Sequence, residues 1–174
     1  PNPVFAGLPT SIFQHMTFLA LDHDALNLGQ GFPDEDGPVG LREVAAKALV
    51  DGPNQYPPSK GLTVLRQAVS AHARHFYNLE YDPEDEVVIT SGGTEALGAA
   101  ILATASAGEE FVLVEPTYDS YRPIVQSTGA VIRTVKLAPP ELKLTEQALR
   151  AAIGPRTRAV LINSPHNPAG RALT

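Results

Sequence analysis

The stretch VVITSGGTEALGAA, residues 87–100, decides how the rest of the chain is interpreted. Its first residues, 87–89, form a short β-branched run that is typical of a strand buried on both faces of a parallel sheet. Residues 91–93 have small side chains or none, so the backbone can come close to a ligand there. Thr94 then opens an apolar helical run. The stretch therefore predicts a buried strand, a glycine turn and the first turns of a helix.

The start of this helix predicts an anion site. A helix N-terminus carries unpaired N–H groups and partial positive charge, which favour a phosphate. Gly92 and Gly93 leave room for the phosphate, and the hydroxyl of Thr94 adds one more donor. The alternative is an ordinary strand-to-helix turn capped by a hydroxyl, and the rest of the chain decides between the two.

The composition excludes several functional classes. The 174 residues carry a net charge of −6, and the thirteen Lys and Arg residues are scattered, which argues against nucleic-acid binding. Without cysteine the chain has neither a disulfide framework nor a thiolate metal site. No apolar run approaches the roughly 18 residues that span a membrane, so we expect a cytoplasmic protein. Because the chain begins at Pro1 and stops at Thr174 just after a loop, we expect a part of something longer.

Helical and strand patterns alternate along most of the chain. Residues 1–9 contain too many prolines for regular structure and predict an extended arm. The predicted helices are residues 12–23, 39–50, 62–77, 94–102, 118–127 and 145–153, and the predicted strands are residues 87–89, 111–114, 130–137 and 159–163. This alternation predicts an α/β fold with a mostly parallel sheet and right-handed crossovers.

Three loops leave the carboxyl ends of the predicted strands, at residues 91–94, 115–118 and 163–170, and we expect them to open on one crevice. Tyr118 in the second loop could lie flat against a planar ligand, although a tyrosine in a helix-capping turn explains it as well. Asn167 in the third loop could donate to a fixed acceptor, and a plain turn rich in asparagine is the alternative.

Together the loops supply an anion site, a stacking ring and a side-chain donor. This set suits a flat aromatic cofactor that bears a phosphate, and pyridoxal phosphate fits better than a dinucleotide. The turn SGGTEAL is not G-x-G-x-x-G, the glycine pattern of dinucleotide folds.

Five motifs in this order and spacing resemble those of class I aminotransferases of fold type I, and in particular the subgroup that contains kynurenine aminotransferases and bacterial methionine aminotransferases. They span nearly the whole chain: NLGQGFPD at 27–34, NQYPPSKGLTVLRQAV at 54–69, SGGTEAL at 91–97, EPTYDSY at 115–121 and NSPHNPAGR at 163–171. The resemblance implies the three-layer large domain of that fold, incomplete in this chain. It assigns residues 1–40 to the small domain and residues 41–174 to the cofactor-binding large domain.

The resemblance also implies roles for individual residues. Gly92, Gly93 and Thr94 would bind the phosphate of pyridoxal 5′-phosphate. Tyr118 would stack on the pyridine ring, and Asn167 would donate to the O3′ oxygen of that ring.

Three further residues match the family's motifs. Tyr56 matches a tyrosine that reaches the phosphate of the partner subunit's cofactor, which implies a homodimer with shared active sites. Gly31 matches a backbone position that lies against the substrate carboxylate. His166 occupies the place before the asparagine and is interpreted as structural rather than acid/base.

No catalytic residue is assigned in this chain. In the family, the Schiff-base lysine and the arginine that holds the substrate carboxylate come after the position of Asn167. The lysines present are Lys47, Lys60, Lys136 and Lys143, and none lies where the family places the catalytic one. We therefore expect half of an active site, within a larger folded object.

The function implied by the resemblance is transfer of an amino group from an amino acid, of the methionine, glutamine, aromatic or kynurenine type, to a 2-oxo acid. The alternatives are a C–S β-lyase on the same fold and a catalytically incomplete fragment that folds only with its missing half. A nucleotide-binding α/β domain is a further alternative.

Overall fold

The structure, a computed structural model, describes residues 2–31 and 33–173; Pro1, Phe32 and Thr174 lie outside the described residues. The chain divides into two compact units, one formed by Thr10–Ile89 and the other by Pro1–Pro9 together with Thr90–Thr174. Across the described part of the chain, the helices are too short or too polar for any of them to cross a membrane. The assignment of residues 1–40 and 41–174 to a small and a large domain stays a prediction.

Seven helices and three strands are assigned among the described residues. In chain order they are α1 Pro3–Ala6, α2 Ile12–Asp22, α3 Val39–Asp51, α4 Thr63–Tyr77, α5 Gly93–Thr104, β1 Glu110–Glu115, α6 Tyr121–Ser127, β2 Val131–Lys136, α7 Glu146–Ala152 and β3 Thr157–Leu161. The strands form one sheet in the order β2-β1-β3, and β1 is parallel to both neighbours. The predicted α/β class with a parallel sheet is confirmed.

The central strand β1 is buried on both faces. Phe111 and Leu113 face one side, where they pack with residues of α5 and α6. Val112 and Val114 face the other side, where they pack with Val135 and with apolar residues of α7. This burial explains the uninterrupted apolar run FVLV, because a strand covered on both faces has no polar side.

The amino end of β1 is held by a buried carboxylate. Glu110 is 3% exposed and accepts from Arg133 of β2 at 3.2 Å and from Arg156, just before β3, at 2.8 Å. Burial acts to raise the pKa of Glu110, but the hydrogen bonds and charges of the two guanidinium groups outweigh it and hold the pKa below its ordinary value. One side chain thus joins all three strands at this end of the sheet.

The predicted strand at residues 87–89 is wrong. These residues form no strand; Val87 is buried, but Val88 is 63% exposed. The N–H of Ile89 donates to the carbonyl of Lys60 at 3.0 Å, so the run lies against the preceding loop. A β-branched run becomes a strand only where a neighbouring strand supplies the hydrogen-bond ladder.

Other boundaries shift by a few residues. The arm predicted for residues 1–9 contains the short helix α1, because Pro3 fits the first helical turn and the Asn2 side chain accepts from the Val4 N–H at 2.9 Å. Helix α6 begins at Tyr121 rather than at residue 118. Strand β3 covers Thr157–Leu161 rather than residues 159–163.

The Thr10–Ile89 unit has little apolar core among its described residues. Helices α2 and α3 contain no buried residue, and on α4 the apolar side chains of Val69 and Phe76 are 40% and 64% exposed. The buried residues described in this unit are Arg66, Ala73 and Val87. Polar contacts therefore contribute much of the order in this part of the chain.

The Glu110 cluster predicts an acid-sensitive stability. Because the pKa of Glu110 is lower in the folded protein than in the unfolded chain, the unfolded chain binds more protons in acid. The cluster's contribution is fully present above the ordinary glutamate pKa of about 4.3 and is lost as the pH falls through the folded value. We expect Glu110→Gln to lower the thermal unfolding midpoint of the intact protein at neutral pH. In acid, the midpoint of this variant should decrease less with falling pH than that of the wild type.

The matched control is Glu146→Gln, which removes a carboxylate from an ion pair whose two side chains are 76% and 77% exposed. This variant should follow the wild-type curve, because exposed pairs contribute little. If the unfolding midpoints of wild type and Glu110→Gln decrease in parallel as the pH falls, Glu110 is not the source of the acid sensitivity.

Candidate functional site

The C-terminal half of helix α5 packs against the sheet near the amino ends of its strands. Residues 105–109 join its end to β1, and Ile101 and Ala105 pack with Phe111 and Leu113 in one cluster. The Arg158 side chain, near the start of β3, donates to the Thr104 carbonyl at 3.2 Å. The end of α5 thus lies at the amino ends of the strands. The helix is about 18 Å long and β1 about 20 Å, so we expect a helix that runs antiparallel to β1 to begin near the opposite edge of the sheet.

The turn before α5 is built from backbone rather than side chains. Gly92 has φ +88° and ψ 172°, a conformation open almost only to glycine, and serves as the N-cap without a side-chain hydrogen bond. A Cβ placed at Gly92 or Gly93 would meet no atom within 4 Å, so both glycines face open space. The first N–H groups of the twelve-residue helix α5 and the exposed Thr94 residue therefore border open space.

Glu95 braces this turn and was not recognised from the sequence as part of the site. Its carboxylate accepts from the Ser91 N–H, while the Thr90 hydroxyl donates to the Gly92 carbonyl at 2.9 Å. This contact resembles one half of a capping box, but the donor is the residue before the N-cap Gly92 rather than the N-cap itself. The capping-box pattern does not predict this contact, because Glu95 follows Ser91 by four residues rather than three.

The loop after β1 carries two neighbouring tyrosines. Tyr118 is half-buried, and its ring centroid lies 5.7 Å from that of Tyr121 at an interplanar angle of 52°. Burial raises the pKa of the Tyr121 hydroxyl, and Tyr118 adds to the shift, so Tyr121 stays neutral. An ion pair between Glu115 and Arg122 closes the loop at its base. Tyr121 and Arg122, which the sequence analysis did not single out, thus hold the loop that carries Tyr118.

The loop after β3 is organised around His166. This residue is 5% exposed, its N–H donates to the Arg171 carbonyl at 2.7 Å, and its carbonyl accepts from Gly170 at 2.7 Å. Its ring Nδ1 accepts from the Ala169 N–H at 3.4 Å, so the N–H proton of the neutral ring is on Nε2. These contacts fit the structural role predicted for His166, and they leave Asn167 exposed in the loop that follows β3.

Five of the predicted site residues lie in the unit that carries the sheet. Gly92, Gly93 and Thr94 lie at the start of α5, Tyr118 follows β1 and Asn167 follows β3. Because β1 and β3 are parallel neighbours, their carboxyl ends open on the same side. Open backbone donors, an aromatic face and a free amide in this unit fit a phosphate-bearing aromatic cofactor.

The two remaining predicted residues belong to the Thr10–Ile89 unit. Tyr56 is 99% exposed in the loop between α3 and α4. Gly31 is exposed, and a Cβ there would meet no atom within 4 Å. The roles assigned to both residues stay predictions.

Comparison with known proteins identifies relatives along nearly the whole chain. Residues 23–174 match the family described as aminotransferase class I and II. A protein described as "Probable N-succinyldiaminopimelate aminotransferase" from Mycobacterium tuberculosis is 49% identical over 167 residues, which are 95% of this chain and 42% of that protein. The methionine aminotransferase of Escherichia coli is 40% identical over 169 residues, covering 97% of this chain and 44% of that protein.

Solved structures give the same result. The structure of N-succinyldiaminopimelate aminotransferase from Mycobacterium tuberculosis superposes with a TM-score of 0.91 at 47% identity, covering 98% of this chain and 45% of that one. The resemblance inferred from the five motifs is confirmed. The chain spans less than half the length of the relatives that it matches.

We expect alanine substitution to change the stability differently at the two glycines of the turn. Gly92→Ala places a side chain at φ +88° and should lower the free energy of unfolding by about 1–3 kcal/mol. Gly93→Ala adds a Cβ in open space at a helical residue and should be neutral or slightly stabilising. Urea unfolding of the intact protein checks the pair, and equal midpoints for the two variants would refute the geometry of the turn.

Proposed function

Since the chain belongs to the class I and II aminotransferase family, whose members depend on pyridoxal phosphate, we propose that the protein carrying it transfers an amino group from an amino acid to a 2-oxo acid. The observation that supports this most directly is the open backbone turn at the start of α5, in the same unit as Tyr118 and Asn167. The bound cofactor would supply an electron sink for the α-carbon of the substrate.

In this proposal the turn before α5 holds the cofactor phosphate. The N–H groups at the helix start and the Thr94 hydroxyl donate to phosphate oxygens, and the partial positive charge of the helix N-terminus favours the dianion. Gly92 and Gly93 let the phosphate approach the backbone, because no Cβ stands in the way. The Glu95 carboxylate keeps the turn in shape through the Ser91 N–H.

The other two loops hold the ring. Tyr118 provides a flat face for the pyridine, and its neighbour Tyr121 keeps that face from rotating freely. Asn167 donates through its side-chain amide to the O3′ oxygen. A donor at that oxygen stabilises its ionised form, so Asn167 tunes the cofactor without moving a proton itself.

We propose that the enzyme is a homodimer with shared sites, in which Tyr56 reaches the phosphate of the partner subunit's cofactor and Gly31 lies against the substrate carboxylate. The almost complete exposure of the Tyr56 side chain supports a contact outside its own chain. The cytoplasmic location stays a prediction from sequence.

The substrate class follows from the relatives' names. We propose an amino acid of the methionine, glutamine, aromatic or kynurenine type, and the relatives described as N-succinyldiaminopimelate aminotransferases add that compound to the set. All of these donors present the same α-amino acid group, so the residues of this chain that hold the cofactor serve each of them alike.

The test is an assay of the intact protein loaded with pyridoxal phosphate. With 2-oxoglutarate present, we expect glutamate to form when methionine, kynurenine or N-succinyldiaminopimelate is supplied as donor. Pyruvate and ammonia from cystathionine, without any need for a 2-oxo acid, would identify a C–S β-lyase instead. Binding of NAD without binding of pyridoxal phosphate would overturn the proposal.

The phosphate site predicts a specific role for one hydroxyl. Thr94→Val keeps the shape of the side chain and removes the donor; a hydrogen bond to a charged group contributes about 1.5–3 kcal/mol. We expect the dissociation constant of pyridoxal phosphate to rise roughly tenfold or more. Thr94→Ser keeps the hydroxyl and should bind like the wild type, and if the valine and serine variants bind equally well, Thr94 is not a phosphate ligand.

A further inference from the structure

Arg66 is the buried charge of the Thr10–Ile89 unit. It is 4% exposed, whereas its ion-pair partner Glu84 keeps 60% of its side chain in solvent. A guanidinium group is costly to bury unless its N–H groups find acceptors. Because this unit has few buried apolar residues, the acceptors of Arg66 show which segments the arginine holds together.

The guanidinium group joins three segments of the chain. Its Nε donates to the Gly61 carbonyl at 3.3 Å, in the loop before α4, and Nη2 donates to the Thr63 hydroxyl at 3.2 Å, at the start of that helix. Both terminal nitrogens lie 3.1 Å from one Glu84 carboxylate oxygen, and Nη1 also donates to the Pro83 carbonyl. The planar fork of arginine suits such a set of acceptors, and lysine could not replace it fully.

Other contacts close the same seam, which we call the Arg66 clamp: residues 60–66 against residues 83–89. The Lys60 ammonium donates to the Glu84 carbonyl at 2.7 Å, and the Lys60 carbonyl accepts from the Ile89 N–H at 3.0 Å. Gly61, with φ +95°, lets the backbone touch Ile89, because a Cβ there would come within 2.5 Å of the Ile89 side chain. The loop before α4 is therefore held at its C-terminal end.

Tyr56 lies in this loop, four residues before Lys60, and with 99% of its surface exposed it has little packing of its own. Its position must come from the loop that carries it. We propose that Arg66 is a positioning residue that holds Tyr56 in place for the cofactor phosphate. This inference rests on the proposed function, in which Tyr56 reaches the phosphate of the partner subunit's cofactor.

The physical effect of the clamp is pre-organisation. A side chain on an unrestrained loop loses conformational freedom when it binds, and that loss weakens the affinity. A loop already held by Arg66 has lost that freedom on folding. Loosening the clamp should therefore weaken cofactor binding through Tyr56, and should have little effect once the Tyr56 hydroxyl is gone.

A double-mutant cycle in the intact protein separates this role from general stabilisation. The variants are Arg66→Lys, Tyr56→Phe and both together, and the readout is the dissociation constant of pyridoxal phosphate. We expect Tyr56→Phe to weaken binding about tenfold and Arg66→Lys about threefold or more alone, but less than about 1.5-fold in the Tyr56→Phe background. Equal effects of Arg66→Lys in both backgrounds, or no effect in either, would overturn the proposal.

The control is Arg74→Lys, on the same helix, whose guanidinium pairs with Glu80 at 3.0 Å with side chains 69% and 78% exposed. It should leave cofactor affinity unchanged. If Arg66→Lys does not fold, Glu84→Gln replaces it in the cycle, because the exposed Glu84 side chain tolerates the change, and the same outcomes apply.

The cycle also separates this inference from the proposed function. A wild-type protein that binds no pyridoxal phosphate would refute the proposed function and the clamp's role together. A wild-type protein that binds the cofactor, with a Tyr56→Phe variant that binds equally well, would refute the roles of Tyr56 and of the clamp and leave the proposed amino-group transfer standing.

Discussion

The packing of the C-terminal half of α5 on β1 is the constraint on which the candidate site depends. Ile101 and Ala105 share one apolar cluster with Phe111 and Leu113, and residues 105–109 link the end of the helix to the start of the strand. We therefore expect the helix N-terminus at the edge where β1 and β3 end. The helix start and the two strand-end loops are then expected to share one edge, although they are far apart in sequence.

Different contacts stabilise the two ends of the sheet. At the amino end, the buried Glu110 carboxylate joins Arg133 and Arg156 and ties the three strands together. At the carboxyl end, the Glu115–Arg122 ion pair stabilises the loop after β1, and the backbone contacts of His166 stabilise the loop after β3. Such support leaves exposed groups free to contact a ligand while their backbone stays in place, which is what a pre-organised site requires.

Local patterns in the sequence predicted the elements, and tertiary partners decided what the patterns missed. The class of fold followed from β-branched runs alternating with helical periodicity. Residues 87–89 had the right composition for a strand but have no neighbouring strand to pair with among the described residues. Arg66 bonds to Glu84 across 18 residues and Arg156 to Glu110 across 46, and no local pattern shows such pairings. The Gly92 turn was predictable, because only glycine suits that backbone.

A crystal structure of the intact protein with pyridoxal phosphate tests the central claim most directly. The account predicts one cofactor whose phosphate lies within hydrogen-bond distance of the start of α5 and of the Thr94 hydroxyl. It also predicts the Tyr118 ring against the pyridine and the Asn167 amide at O3′. A cofactor bound elsewhere, or one that contacts Thr94 while Tyr118 and Asn167 lie out of reach, would contradict it.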